Sequence, residues 1–160
     1  MYFEDFNFYL LEKEKWLQDL LKEKLDPKEV FQKEGYTIDD VISYYIQNER
    51  CGVLEFLGSP SKKFCFRLNY PNSKVIEPHI IGDVKYLRTF TKQSIDFMFI
   101  KNGIEKINVY THIESIYKIL SRIGFDTEGL ITKTYIQNNE LKDIYVLGLN
   151  KEKYMKGIKK

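Results

Sequence analysis

The stretch IEKINVYTHIESIYKILSRIGFDTEG, residues 104–129, decides the fold. Ile104, Ile107 and Val109 mark an extended run, after which Ile113, Ile116, Tyr117 and Leu120 recur at three and four residues. The apolar period changes from two to 3.6, so a strand passes into a short amphipathic helix. Gly124 ends that helix, because a residue without Cβ enters the left-handed backbone region freely, and Phe125 folds back onto the helix it leaves. A second strand follows.

Working outward toward the C-terminus, residues 129–136 and 142–149 read as strands on either side of Gln137, Asn138, Asn139 and Glu140, a terminal antiparallel hairpin. Toward the N-terminus, Asn102 and Gly103 stop a helix over residues 88–101, with Leu87, Phe90, Phe97 and Met98 inward. Before it, residues 52–57 and 63–70 form a hairpin, and a turn at Pro71, Asn72 and Ser73 leads to a strand over residues 74–81. The first 50 residues are helical. Trp16, Leu17, Leu20, Leu21 and Leu25 form one stripe, Asp26 and Pro27 open a second helix over residues 27–34, and Thr37 with Asp40 opens a third that buries Val41, Ile42 and Tyr45. The order excludes a doubly wound sheet and predicts an α+β layer, mostly antiparallel, with one parallel crossover.

At 160 residues one domain is expected, with a helical part over 1–50, a sheet core over 51–150 and a basic, solvated tail over 151–160. A charge of +2, from 25 basic and 23 acidic residues, argues against nucleic acid or an anionic membrane as partner. No long apolar run and no basic leader are present, which predicts a soluble, cytoplasmic chain. Cys51 and Cys65 lack metal-ligand spacing and read as reduced thiols, so no metal is expected. The aromatic N-terminus, with Tyr2, Phe3, Phe6, Phe8 and Tyr9, either covers the domain's own sheet or meets another chain.

This element order, with Arg122, Gly124 and Phe125, then Asn138 and Asn139, then Asp143, Tyr145, Gly148 and Leu149, resembles the GCN5-related N-acetyltransferase superfamily. Among its members it looks most like the divergent ones encoded by bacteriophages, and the resemblance covers roughly residues 51–151. It implies an acetyltransferase-like mixed sheet with helices on both faces and a splayed parallel strand pair. It also implies acetyl-CoA as cofactor, its pyrophosphate on the amides that open the central helix, here Ile81, Gly82, Tyr86, Leu87, Arg88 and Thr89. Tyr86 and Arg88 stand where the family pattern places glycine or alanine, and Lys85 and Arg88 could supply charge instead. Ile113 and Leu120 stand where family enzymes carry an Asn and a general-acid Tyr; Tyr117 is one turn short and reads as packing.

Acyl transfer to an amine needs a base. Glu77 and His79 lie two residues apart on the predicted fourth strand and so share a face, where a carboxylate can hold the imidazole in one tautomer. They are the candidate catalytic residues, and a hydrogen-bonded surface pair is the plainer reading. Thr111, just before His112, caps the helix or touches a ligand. No serine triad or phosphate loop is present. Two functions remain open: an acetyl-CoA-dependent N-acyltransferase acting on a small-molecule or peptide amine, or a non-catalytic protein of the same fold that binds a protein partner or serves virion assembly.

Overall fold

A computed structural model describes residues 6–10, 19, 22, 23, 25–46, 51–56, 63–81 and 87–158. In chain order the elements are β1 (Phe6–Leu10), α1 (Pro27–Phe31), α2 (Ile38–Ile46), β2 (Cys51–Phe56), β3 (Lys63–Asn72), β4 (Val75–Ile81) and α3 (Leu87–Lys101). They continue with β5 (Lys106–Thr111), α4 (Glu114–Ile123), β6 (Asp126–Gln137), β7 (Glu140–Asn150) and α5 (Lys151–Ile158). Ahead of α1, Asp19, Lys22 and Glu23 are helical and exposed, on the polar side of the predicted leucine stripe.

The seven strands form one mixed sheet in the order β1-β2-β3-β4-β5-β7-β6. Every neighbouring pair is antiparallel except β4 and β5. That parallel pair is joined only at Val75 with Lys106 and Ile76 with Ile107, and beyond these residues the strands part. The α+β layer with a splayed parallel pair is thus the observed architecture. Val53, not Cys51, stands opposite Cys65, so the two cysteines are not cross-strand partners.

One face of the sheet carries the core. Ile76, Ile107, Leu147 and Leu149 meet Ile95, Met98 and Phe99 of α3, Leu120 of α4, and Ile104, Phe125 and Tyr154. Strand alternation sends Glu77, Asn69 and Tyr110 to the opposite face. On that face α1 approaches the β6–β7 hairpin, with Asp26 and Glu29 near Tyr135. Among the described residues no helix is long and apolar enough to cross a membrane.

The local signals act as their chemistry predicts. Gly124 has φ 119°, and the amides of Gly124 and Phe125 donate to the Leu120 carbonyl at 3.2 and 3.1 Å, closing α4. The Thr37 amide and hydroxyl donate to Asp40 at 2.7 and 2.8 Å, and the Asp40 amide returns a bond to Thr37 Oγ1 at 3.3 Å. These bonds, the backbone one first, hold the Asp40 carboxyl below its usual range. Asn138 and Asn139 at φ 50° and 62° make the two-residue hairpin turn.

Four expectations need correction. Of the solvated tail expected over 151–160, Lys151–Ile158 is instead helical, and Tyr154 is buried with its ring 5.6 Å from Phe99. Lysine-rich spacing hid Tyr154 and Met155, which pack on the core. Phe6–Leu10, expected within a helical first 50 residues, joins the sheet as an edge strand on β2, while Tyr2 and Phe3 lie outside the described residues. α1 stops at Phe31 and not at residue 34, because Gln32 turns into the left-handed region at φ 55° and aims its amide at β6. There its Nε2 donates to the Ile136 carbonyl at 3.3 Å and its Oε1 accepts from the Ile136 amide at 2.5 Å, which occupies an otherwise open edge. Finally, the inward face of α3 is Thr91, Ser94, Ile95, Met98 and Phe99, with Phe97 only half-buried; the side chains of Leu87 and Phe90 lie outside the described residues.

Candidate functional site

The parting of β4 from β5 opens the sheet beside Glu77. Residues 77–81 of β4 stay paired with β3 on one side, and have no β5 partner on the other. Glu77 stands at the head of the opening. Its Oε2 accepts from Asn69 Nδ2 at 2.8 Å and its Oε1 accepts from the Tyr110 hydroxyl at 3.3 Å, so β3 and β5 fix the carboxylate from both sides.

Tyr110 is the residue that sequence reasoning missed, although it alternates with Asn108 on a strand facing Glu77. Burial, and then the Glu77 charge, push its phenol above the usual range. It therefore stays protonated and donates. His79 is exposed on β4, opposite Arg67 of β3. It shares Glu77's face by alternation, but the carboxylate's described hydrogen bonds go to Asn69 and Tyr110. The predicted Glu77 and His79 thus lie on one face, and the hydrogen-bonded group described there is Glu77 with Asn69 and Tyr110.

On the other side of the sheet α3 shows a change of character along its length. Its inward residues toward the C-terminal end, Ile95, Met98 and Phe99, are large and apolar, whereas those nearer the opening are Thr91 and Ser94. The Thr91 hydroxyl is buried and has no hydrogen-bond partner among the described residues. The amides of the first turn of α3, with their partial positive charge, lie at that end. Of the predicted cofactor residues, Ile81 closes β4 and Leu87, Arg88 and Thr89 form the first turn of α3, with Arg88 exposed. Gly82 and Tyr86 lie outside the described residues.

A second polar group sits beyond β5. His112 stacks on Tyr135 with centroids 4.3 Å apart, and burial lowers its pKa. Burial, then the charges of Glu29 and Asp26, push the Tyr135 phenol up to about 12. Thr111 caps and does not reach outward: its Oγ1 accepts from the Ile113 amide at 3.1 Å.

The sequence matches no family model and no curated protein. Its fold does match solved structures. Spermidine N-acetyltransferase from Vibrio cholerae, in complex with CoA and spermine, superposes with a TM-score of 0.73 at 16% identity, over 95% of this chain and 99% of that one. An acetyltransferase of the GNAT family from Bacillus anthracis gives 0.66 at 16% identity, over 92% and 96%. The fold is that of the GCN5-related N-acetyltransferases.

Within the acetyltransferase fold, the splayed pair β4 and β5 is the opening just described, and α3 is the central helix that follows it. Leu120, at the position where the resemblance places a general acid, is buried in the core. Tyr117 does not replace it: its ring stacks on Tyr145 at 4.3 Å and its hydroxyl bonds to Thr127 Oγ1 at 3.0 Å. Ile113 is the exposed residue before α4.

Proposed function

We propose that this chain is an acetyl-CoA-dependent N-acyltransferase acting on a small-molecule amine. The observation that carries the reading is Glu77, held by Asn69 and Tyr110 at the point where β4 leaves β5. Support comes also from the neighbours in fold, which are named as N-acetyltransferases, one of them holding CoA and spermine. Acetyl-CoA would supply an acyl group activated as a thioester. The groups suited to hold it are residues 77–81 of β4, beyond its pairing with β5, Thr91, and the first turn of α3 with Arg88; Ile81, Gly82, Tyr86, Leu87 and Thr89 complete that stretch.

The work left to the chain is to bind an ammonium and take its proton. A carboxylate held by one donor on each oxygen keeps further lone pairs that can accept a proton. Glu77 attracts the cationic acceptor, accepts a proton from the nitrogen and leaves the free amine beside the acyl carbon. Tyr110, kept protonated, holds the carboxylate in place without competing for that proton. His79, exposed on the same face, is the second candidate for relaying it.

A non-catalytic binding role is the alternative, and Leu120 in the core at the general-acid position favours it. Turnover of acetyl-CoA with a panel of amines separates the two. Glu77→Gln should lower kcat about a hundredfold with CoA affinity unchanged, the usual scale for a positioned base. His79→Ala should lower it less. Equal rates for wild type and Glu77→Gln would reject Glu77 as the base, and no turnover with any amine would favour the binding role.

A further inference from the structure

Glu128 occupies a place that the backbone makes for it. Thr127 stands opposite Leu147 and Gly129 opposite Val146, so Glu128 is the extra residue of a β-bulge in β6. Such bulges re-aim a side chain out of the regular alternation. The Glu128 carboxylate crosses β7 above Gly148, where a Cβ would lie 2.2 Å from its Oε1. It ends at Lys106 of β5, whose Nζ is 2.8 Å from Oε1 and 2.9 Å from Oε2. Only glycine at 148 leaves that path open.

The carboxylate therefore belongs to the candidate site. Lys106, Asn108 and Tyr110 share one face of β5, Asn108 is opposite Gly148, and the pairing of Ile76 with Ile107 puts Glu77 beside Asn108. A row forms across three strands: Glu77, Asn108, and Glu128 over Gly148. Asn108 Oδ1 is buried and accepts no hydrogen bond among the described residues. The charges of Glu77 and Glu128 both act on Tyr110. The row is rich in acceptors, and for its far carboxylate the described donor is Lys106.

Resting on the acyl-transfer reading, we propose that Glu128 is a specificity-determining residue: it takes a second cationic nitrogen of the acceptor, and Lys106 holds that position in the free protein as an internal competitor. A monoamine satisfies Glu77 alone, whereas a linear diamine reaches both carboxylates and passes the Asn108 carbonyl. β4 and β7 are two strand spacings apart, about 10 Å, which an extended aliphatic diamine can bridge. The Lys106–Glu128 ion pair is only partly buried, so displacing Lys106 into water is an exchange of one ammonium for another.

The test is calorimetric binding of diaminooctane and octylamine to the full chain, with and without CoA. Wild type should prefer the diamine by roughly tenfold, the scale of one hydrogen-bonded charge contact. Glu128→Gln should abolish that preference, and Gly148→Ala should do the same by displacing the carboxylate while keeping its charge. Lys106→Met should move the other way, raising diamine affinity several-fold and leaving octylamine unchanged. An ion pair that serves only stability would not give effects of opposite sign. An unchanged preference in Glu128→Gln, a weaker diamine in Lys106→Met, or no diamine preference in wild type would overturn the proposal. If Gly148→Ala fails to fold, the other two variants still decide it. Because amine binding is read without turnover, failure to bind CoA would count against acyl transfer and not against Glu128.

Discussion

The two ends of β5 differ sharply. At Lys106 and Ile107 the strand is paired on both sides, while from Asn108 to Thr111 it is paired with β7 alone. Around the paired end lie the fully buried Ile76, Phe99, Ile104 and Ile107. At the free end are Tyr110, Glu77, Thr111 and the Thr91 hydroxyl, which has no hydrogen-bond partner among the described residues. Packing at one end lets the other remain open and polar, because the apolar burial that stabilises the domain does not have to come from the opening.

The largest effect that sharpens this contrast is expected at Phe99. Phe99→Ala should lower unfolding free energy by about 3–5 kcal/mol, as for other buried aromatic truncations. Chemical denaturation reads it directly, and a loss under about 1 kcal/mol would contradict a core centred there.

The next effect is smaller and depends on pH. Tyr135 has its folded pKa raised to about 12 from 10, so its contribution is fully present below pH 10 and is lost as pH rises toward 12. Wild type should lose on the order of 2 kcal/mol across that window relative to Tyr135→Phe. His112 works in the opposite direction. Its pKa is lowered by burial, so its contribution is present above about pH 6.5 and fades as the medium becomes more acidic. Equal alkaline slopes for wild type and Tyr135→Phe would remove the buried-phenol explanation.

The smallest effect separates the two ends most cleanly. Tyr110→Phe deletes one hydroxyl at the open end, so melting should change little while turnover falls about tenfold, the scale of one positioning hydrogen bond to a charged group. A large loss of stability with turnover unchanged would assign Tyr110 to the packed end instead.

Most of the paired end could be read in the sequence. The period change at residues 104–129 gave β5 and α4, Gly124 and Phe125 closed the helix, and Asn138 with Asn139 turned the final hairpin. Each rests on neighbours in the chain, so local chemistry is sufficient. The same residues that carried the family resemblance have packing roles in the structure. Tyr145 stacks on Tyr117, Asp143 accepts from the Lys133 amide at 2.8 Å, and Gly148 makes way for Glu128.

The open end was harder to read. Glu77 stood out as a carboxylate on a strand, but its partners Asn69 and Tyr110 come from strands eight and thirty-three residues away in sequence. Glu128 gave no signal, since its direction depends on a bulge that only pairing with β7 creates. α5 was hidden for a related reason: five lysines in residues 151–160 outweigh Tyr154 locally, while Phe99, far back in the chain, supplies its partner.

Acetyl-CoA binding tests the central claim most directly, because the open end of the sheet is taken to be a cofactor cleft. Thermal melting of the full chain should rise with acetyl-CoA concentration, by about 2.7 kcal/mol of added stability at a hundredfold excess over the dissociation constant. An unchanged melting temperature at millimolar acetyl-CoA would contradict it.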